Sequence, residues 1–502
     1  MDLWNELQGF VPQLLLIAFA LVLPGLDYLM KKDKRPLAWV ALAPLVAIAA
    51  YISWMLFLSG EPLSMQVGGL PTHPLLTLDI FSGLFMLVFI SVGIVIVLAS
   101  PEFIRGDRNH GEYYALVLLA LTGMTVVAES NDLIALFVGL ETAGISSFAL
   151  SGFRKSENRS AEAATKYFII GGFSSALTLF AISLLYGVAG TTNIDIIGQT
   201  LQGSMASLDG SRSVVLLAIV LFLAGLGFKI AIVPFHMWAP DVYEGSPTPI
   251  SGMLAAASKK MGFAALFKIF LLAVIITKTD WEVAVAALAI ISMTVGNLIA
   301  ISQTSIKRML AYSSIAQAGY ILIALPVGTQ YALEGGLFHI LTHAFMKSGA
   351  FMVVAAMGAV AVGEKLEDFK GLSKRSPFLS FSMAIFLLSL AGIPPLAGFS
   401  SKFVLFSSAV YASASGPTWL VWLAIAGVLN SALSLYYYAR VIKYMYMDPG
   451  PTDKIRVTPM IAVSVALALV MVIAIGLYPQ AVIDICSSAA AGAFHGLPTG
   501  LP

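Results

Sequence analysis

The chain has 502 residues, of which 59% are hydrophobic and 11% charged, and its formal net charge is +1 at pH 7. Soluble domains carry roughly 25% charge, so the composition excludes a disordered chain, an ordinary soluble enzyme and a nucleic-acid binder, which needs a basic excess. Its one cysteine, Cys486, excludes a disulfide framework, an iron–sulfur cluster and a cysteine-type zinc site within the chain.

A spanning helix takes about 20 mostly apolar residues. Fourteen such runs are predicted. Runs 1 to 3 cover 10–30, 37–59 and 77–100. Met1–Gly9, ahead of them, carries Asp2 and Glu6 and no basic residue, unlike a cleaved signal peptide. Runs 4 to 8 cover 112–129, 131–152, 162–188, 213–238 and 249–277. Runs 9 to 13 cover 282–302, 306–327, 331–361, 377–411 and 419–446, and run 14 covers 457–479. They are too long and continuous for barrel strands. The fold class is an all-α polytopic membrane protein.

Nineteen of the 28 basic residues fall in alternate connections: 31–35, 105–108, 154–159, 307–308, 365–375 and 440–456. Only Arg212 and Lys278 fall on the other side. The positive-inside rule places the nineteen in the cytoplasm, and an even helix count then puts both termini outside.

Seven lysines and no arginine remain within the spans: Lys166, Lys229, Lys259, Lys260, Lys268, Lys347 and Lys402. A charge at the bilayer centre costs about 2.5–3.5 kcal/mol on insertion scales. Lysine can lose its proton on burial whereas arginine stays charged, so the row suits proton relay better than fixed pairing. Glu141, about ten residues into run 5, lies near mid-membrane and needs a cation or a proton. In run 11, His339 and His343 share a helix face with Lys347, each four residues after the last. That stripe could carry protons; with no carboxylate or cysteine beside it, metal binding is the lesser reading. Lys260 and Lys268 are read as snorkelling or facing a neighbouring subunit, His236 as structural, and Tyr436, Tyr437 and Tyr438 as interface residues.

Run 7 contains Pro234, and run 12 contains Gly392, Pro394 and Pro395. Proline breaks or kinks a helix. In lipid this is tolerated where the backbone is buried or lines a cavity, and paired broken helices point to an inverted-repeat transporter. A separation of 173 residues takes Lys229 to Lys402 and Lys166 to His339. It suggests two five-helix repeats, helices 4–8 and 9–13, of opposite topology. The expected segments are 1–105, 106–280, 281–446 and 447–502.

Six stretches carry a family resemblance: GEYYALVLLALTGM, NDLIALFVGLE, SGFRKSENRSAEAATKYFIIGGFSSAL, GLGFKIAIVPFHMWAPDVYEGSPTPISG, SQTSIKRMLAYSSIAQAGY and GLSKRSP with LSLAGIPPLAGFSSKF. Through them the chain resembles the antiporter-like membrane subunits of respiratory complex I, nearest the N-type. This includes the archaeal counterpart that oxidises a reduced deazaflavin. The resemblance implies about 14 transmembrane helices, two inverted five-helix repeats with helices 7 and 12 broken, and proton translocation driven by quinone reduction elsewhere in the complex.

Carried over by resemblance, Glu141 and Lys229 are the helix 5–helix 7 pair, and Lys166 is the helix 6 lysine near it. Lys259 is then the central helix 8 lysine and Lys402 the helix 12 lysine at the exit. Separating the pair would send the Lys229 proton towards Lys259 and then Lys402. His339, His343 and Lys347 depart towards the M- and L-type pattern and are possible relay groups. Lys402 departs from the M-type glutamate, and the absence of a long lateral helix after run 14 argues against the L-type. The implied setting is a cell membrane, with M-, L-, K-, A-, J- and H-type subunits as partners. FMN or FAD, iron–sulfur clusters and a quinone-like carrier belong to those partners, and no cofactor or metal to this chain. The competing readings are a subunit of a multi-subunit Na⁺/H⁺ antiporter and a membrane subunit of an energy-converting hydrogenase.

Overall fold

The computed structural model describes residues 3–30, 34–57, 64–70, 73–204, 211–360 and 362–494. Lys31 and Lys32, counted among the basic loop residues, lie outside the described residues.

Helices α1 (Leu3–Leu29) and α2 (Pro36–Phe57) precede strands β1 (Ser64–Leu70) and β2 (His73–Asp79). Four long helices follow, α3 (Ile80–Phe103), α4 (His110–Glu129), α5 (Leu133–Ser151) and α6 (Asn158–Ala189). Next come the short α7 (Ile194–Ser204), then α8 (Arg212–Ile230) and α9 (Trp238–Gly245), the two halves of a broken helix. The next helix is segmented into α10 (Thr248–Met253), a π turn at Leu254–Ser258, α11 (Lys259–Lys268) and a second π turn at Ile269–Ala273. The second half of the chain has α12 (Lys278–Ser302), α13 (Ile306–Leu322), α14 (Ala324–Val327), α15 (Gln330–Ala359) and α16 (Leu372–Arg375). It closes with α17 (Pro377–Ala391), α18 (Ala397–Ser415), α19 (Val421–Tyr446), α20 (Pro459–Leu477) and α21 (Gln480–Phe494).

Among the described residues, twelve helices are long and apolar enough to cross a membrane. The other two expected runs, 249–277 and 377–411, are built in pieces, from α10 with α11 and from α17 with α18. The β1–β2 hairpin was not among the expected elements. It pairs Ser64 with Asp79 and Val67 with Leu76, and only the short alternating stretch around Gly68–Gly69 hinted at it.

Side-chain caps set several helix starts. Asp79 accepts from Ser82 N at 2.7 Å to start α3, and Asp132 accepts from Ile134 N at 2.8 Å to start α5. The connections sort onto two faces. On the basic face, Arg154 donates to the Phe103 carbonyl, Arg440 to those of Ile301 and Gln303, and Lys307 pairs with Glu364. On the opposite face, Asn131 donates to Thr77, Thr192 to Asp132, and Lys278 to the Val327 carbonyl. Between the faces runs α15, buried from Ala332 to Met357. A helix shielded in this way can hold His339, His343 and Lys347 away from lipid.

Both breaks follow a left-handed residue, Ala231 (φ 54°) after α8 and Gly392 (φ 87°) after α17. The freed backbone groups are taken up by side chains. Trp238 Nε1 donates to the Phe228 carbonyl at 3.0 Å, Val233 N donates to Ser292 Oγ at 3.0 Å, and Ser431 Oγ donates to the Ala391 carbonyl at 2.8 Å.

The breaks correct one expectation. They are 161 residues apart, not 173. Lys229 precedes its break and Lys402 follows its own, so the two lysines do not occupy corresponding places. The offset is 173 at the starts of α5 and α13 and shrinks because α8 has 19 residues against 15 in α17, and because α7 lies between α6 and α8.

Candidate functional site

Helix α5 brings Glu141 to α8, where its Oε1 lies 3.9 Å from Lys229 Nζ. The Lys229 side chain is 5% exposed and the Glu141 side chain 26%. The same Oε1 accepts from Ser175 Oγ at 2.5 Å. Lys229 Nζ has no hydrogen-bond partner among the described residues and sits 5.7 Å over the Phe148 ring. Gly144, one turn along α5 from Glu141, makes the approach possible. A Cβ there would stand 2.9 Å from Lys229 Nζ. This is a loose, partly exposed pair in which the carboxylate has a second donor and the ammonium does not.

Lys166 does not join that pair. It sits on the basic face, with Glu162 at 2.6 Å and Asp241 at 2.7 Å. Asp241 also takes Arg308 at 2.8 Å, and Arg308 reaches Glu244 at 3.0 Å. Burial pushes the Asp241 carboxyl up, but the hydrogen bonds from Lys166 and Arg308 outweigh it and hold the group below the usual carboxylate range. The expectation that Lys166 lies near the glutamate–lysine pair is therefore corrected. Two acidic residues, Glu162 on α6 and Asp241 on α9, hold it instead.

Lys259 heads α11 directly after the first π turn and is 1% exposed. Its Nζ has no hydrogen-bond partner among the described residues and lies 5.7 Å over the Tyr243 ring. Lys260 is also 1% exposed and meets His343 Nδ1 at 2.5 Å. It neither snorkels nor faces outward as the sequence suggested, because α15 covers it.

The stripe on α15 is divided among different neighbours. His343 faces Lys260. Lys347 donates to Ser313 Oγ at 2.7 Å. His339 is held between Gln317 Oε1 at 2.8 Å and Ser401 Oγ at 2.9 Å. Ser401 precedes Lys402, whose Nζ donates to the Leu390 carbonyl at 2.7 Å and to Ser431 Oγ at 2.9 Å, 4.7 Å over the Tyr320 ring. That ammonium occupies a carbonyl freed by the break in its own helix.

Tyr437 and Tyr438 are fully buried, which corrects the interface reading, and Tyr436 alone of the three is exposed. Tyr438 shares a hydrogen bond with Ser313 at 2.5 Å, and Tyr437 donates to Asn297 at 2.9 Å. His236 is buried, its Nδ1 without a hydrogen-bond partner among the described residues, and Lys259 is within Coulombic reach. Among the described residues, no three His, Cys, Asp or Glu side chains are grouped to hold a metal ion.

The chain thus holds Lys229, Lys259, Lys260, His343, His339 and Lys402 buried, with Lys260 against His343 and His339 between Gln317 and Ser401. Sequence reasoning read Lys260 as outward-facing and did not single out Ser175, Gln317 or Asp241. The adjacency of Lys259 and Lys260 was a signal for the first of these. The others are polar residues with no spacing to mark them.

Known proteins share this fold. The family described as NADH:quinone oxidoreductase/Mrp antiporter, transmembrane, matches residues 130–434. The F(420)H(2) dehydrogenase subunit N of Methanosarcina mazei is 44% identical over 97% of this chain and 99% of its own. The NADH-quinone oxidoreductase subunit N of Trichlorobacter lovleyi is 38% identical over 96% of this chain and 97% of its own. Among solved structures, a chain of respiratory complex I from Thermus thermophilus superposes with TM-score 0.77 at 30% identity, covering 95% of this chain and 99% of that one. A chain of the archaeal membrane-bound sulfane sulfur reductase superposes with TM-score 0.85 at 30% identity, covering 96% and 98%. The chain belongs to the NADH:quinone oxidoreductase/Mrp antiporter transmembrane family.

Proposed function

We propose that the chain is the N-type, proton-translocating membrane-arm subunit of a complex I-like oxidoreductase. The observation that carries this reading is the Glu141–Lys229 pair, 3.9 Å apart, whose lysine is buried like Lys259, Lys260, His339, His343 and Lys402. The relatives named subunit N of NADH-quinone oxidoreductase and of F(420)H(2) dehydrogenase support it.

In this reading quinone-like carrier reduction occurs in partner subunits, which hold the flavin and iron–sulfur clusters. The M-, L-, K-, A-, J- and H-type subunits adjoin this chain in a cell membrane, with the basic loops cytoplasmic and both termini outside. While Glu141 faces Lys229, the ammonium is held charged. When Glu141 swings away from Lys229, the lysine's proton is released towards Lys259. It then passes by Lys260 and His343 to the His339–Ser401–Lys402 end.

The test uses the whole complex, purified and reconstituted in vesicles with the Glu141→Gln or Lys229→Ala variant. Assembly should be intact while proton pumping, and coupled turnover with it, fall. Normal pumping by Lys229→Ala would remove the assigned role.

A further inference from the structure

A polar recess opens on the face opposite the basic loops, apart from the Glu141–Lys402 series. Its volume is about 350 Å³, and its lining includes Asp79, Asn131, Asp195, Gln199, Gln202 and Lys268. At about 30 Å³ per water, that space takes several.

Lys268, 5% exposed, reaches into it from α11. Its Nζ donates to the Ser130 carbonyl at 2.8 Å and lies 5.9 Å from the centre of the Phe81 ring. Behind Ser130 is Glu129, fully buried at the end of α4. Glu129 Oε2 accepts from Gln13 Nε2 at 2.7 Å, while Oε1 has no hydrogen-bond partner among the described residues. Coulombic attraction links Lys268 to Asp79, Glu129 and Asp195.

Lys268 and Lys259 are the two ends of one helical segment. The π turn at Leu254–Ser258 ends just before Lys259, and the one at Ile269–Ala273 begins just after Lys268. Such turns are rare and gather at functional sites. Nine residues of helix carry the second lysine about 13 Å further along the axis, at 1.5 Å per residue.

We propose that this recess is a second aqueous port, through which Lys268, with Glu129 behind it, exchanges protons with the solution on the face opposite the basic loops. The Lys268 ammonium gives its proton to a water of the recess and becomes a neutral amine. The neutral amine then takes the proton that a protonated Glu129 carries on Oε1, restoring the ammonium and leaving a carboxylate. The plain alternative makes Lys268 a fixed tie for the turn at Ser130. A tie needs only a permanent charge, which arginine supplies better. It needs neither a water-sized recess nor a buried carboxylate with a spare oxygen.

The inference rests on the proton-translocation reading above, and the test separates the two. The whole complex is reconstituted in vesicles with Lys268→Met, with Lys268→Arg and, alongside, with Glu141→Gln. Loss of proton transport, and of coupled turnover with it, is expected in both Lys268 variants with assembly retained, because arginine keeps the charge but does not release the proton. Full transport by Lys268→Arg makes the residue a tie and overturns the port. Normal transport by Glu141→Gln overturns the reading of the main series instead.

A second measurement holds even where Lys268→Met does not assemble. In a chain carrying Cys486→Ser, Gln199→Cys should be labelled by a membrane-impermeant thiol reagent added on the face opposite the basic loops. An unlabelled Cys at that position overturns the port.

Discussion

Asp241 and Lys402 each lie ten residues beyond the left-handed residue that ends the first half of a broken helix, Ala231 in one case and Gly392 in the other. Counted from the breaks, the partner of the α18 lysine is this aspartate and not Lys229. The two face opposite sides. Asp241 holds Lys166 and Arg308 at the basic face, and Lys402 holds the Leu390 carbonyl beside His339 and Ser401.

Asp241→Asn should therefore weaken the basic face in a pH-dependent way. Both pairs are partly exposed and screened by solvent, so the loss at neutral pH is small. The Asp241 carboxyl is held below its ordinary value, so the contribution is complete above about pH 4 and disappears as pH falls through the depressed value. The difference in melting temperature between the parent and variant complexes should be present at pH 7 and shrink at pH 3. A difference that grows on acidification would contradict the assignment.

Gly144→Ala tests the geometry of the main pair without touching either charge. The new methyl would stand 2.9 Å from Lys229 Nζ, and only a flexible ammonium end has to give way. Stability should change by less than about 1 kcal/mol, the usual range for a substitution without a buried clash. Proton transport should fall, because Lys229 is pushed off its 3.9 Å approach to Glu141. Unaltered transport would show that the spacing of the pair does not matter.

The helices that could be read from the sequence were those whose signal is local. Apolar length identified α1 to α6 and α12, and the prolines at 234, 394 and 395 identified both breaks. Lone charges at costly depth marked Glu141 and seven lysines, and the family resemblance singled out Lys229, Lys259 and Lys402 among them. The neighbours they meet were not legible, because each contact depends on helix rotation and tilt. Lys166 could have turned towards α5, but Asp241 on α9 and Glu162 on its own helix lie closer. Lys260 looked superfluous beside Lys259 until α15 placed His343 against it. The offset of 173 residues was real for α5 and α13. It drifted by the breaks because loop and helix lengths differ, so the match of Lys229 with Lys402 was numerical only.

Gly392→Ala probes the Lys402 end. Glycine holds φ 87°, a conformation that costs an L-residue roughly 1–2 kcal/mol. A Cβ would also stand 3.3 Å from Lys402 Cδ and 3.4 Å from Ser431 Oγ. The variant should melt earlier by that order of free energy and lose transport together with it. Lys402→Ala, which adds no strain, should stop proton release with the fold kept. Unchanged pumping stoichiometry in Lys402→Ala would remove its role.

His343→Phe leaves Lys260 fully buried without its imidazole partner. A buried polar group stripped of its hydrogen bond costs about 1–3 kcal/mol. Removing both partners with similarly shaped apolar groups costs far less. The single variants His343→Phe and Lys260→Met should therefore each destabilise the complex, and the double variant should be more stable than the sum of the two predicts. Transport distinguishes a relay contact from a structural one. If the pair carries protons, the double variant regains stability and stays inactive. If it only holds α11 against α15, activity returns with stability.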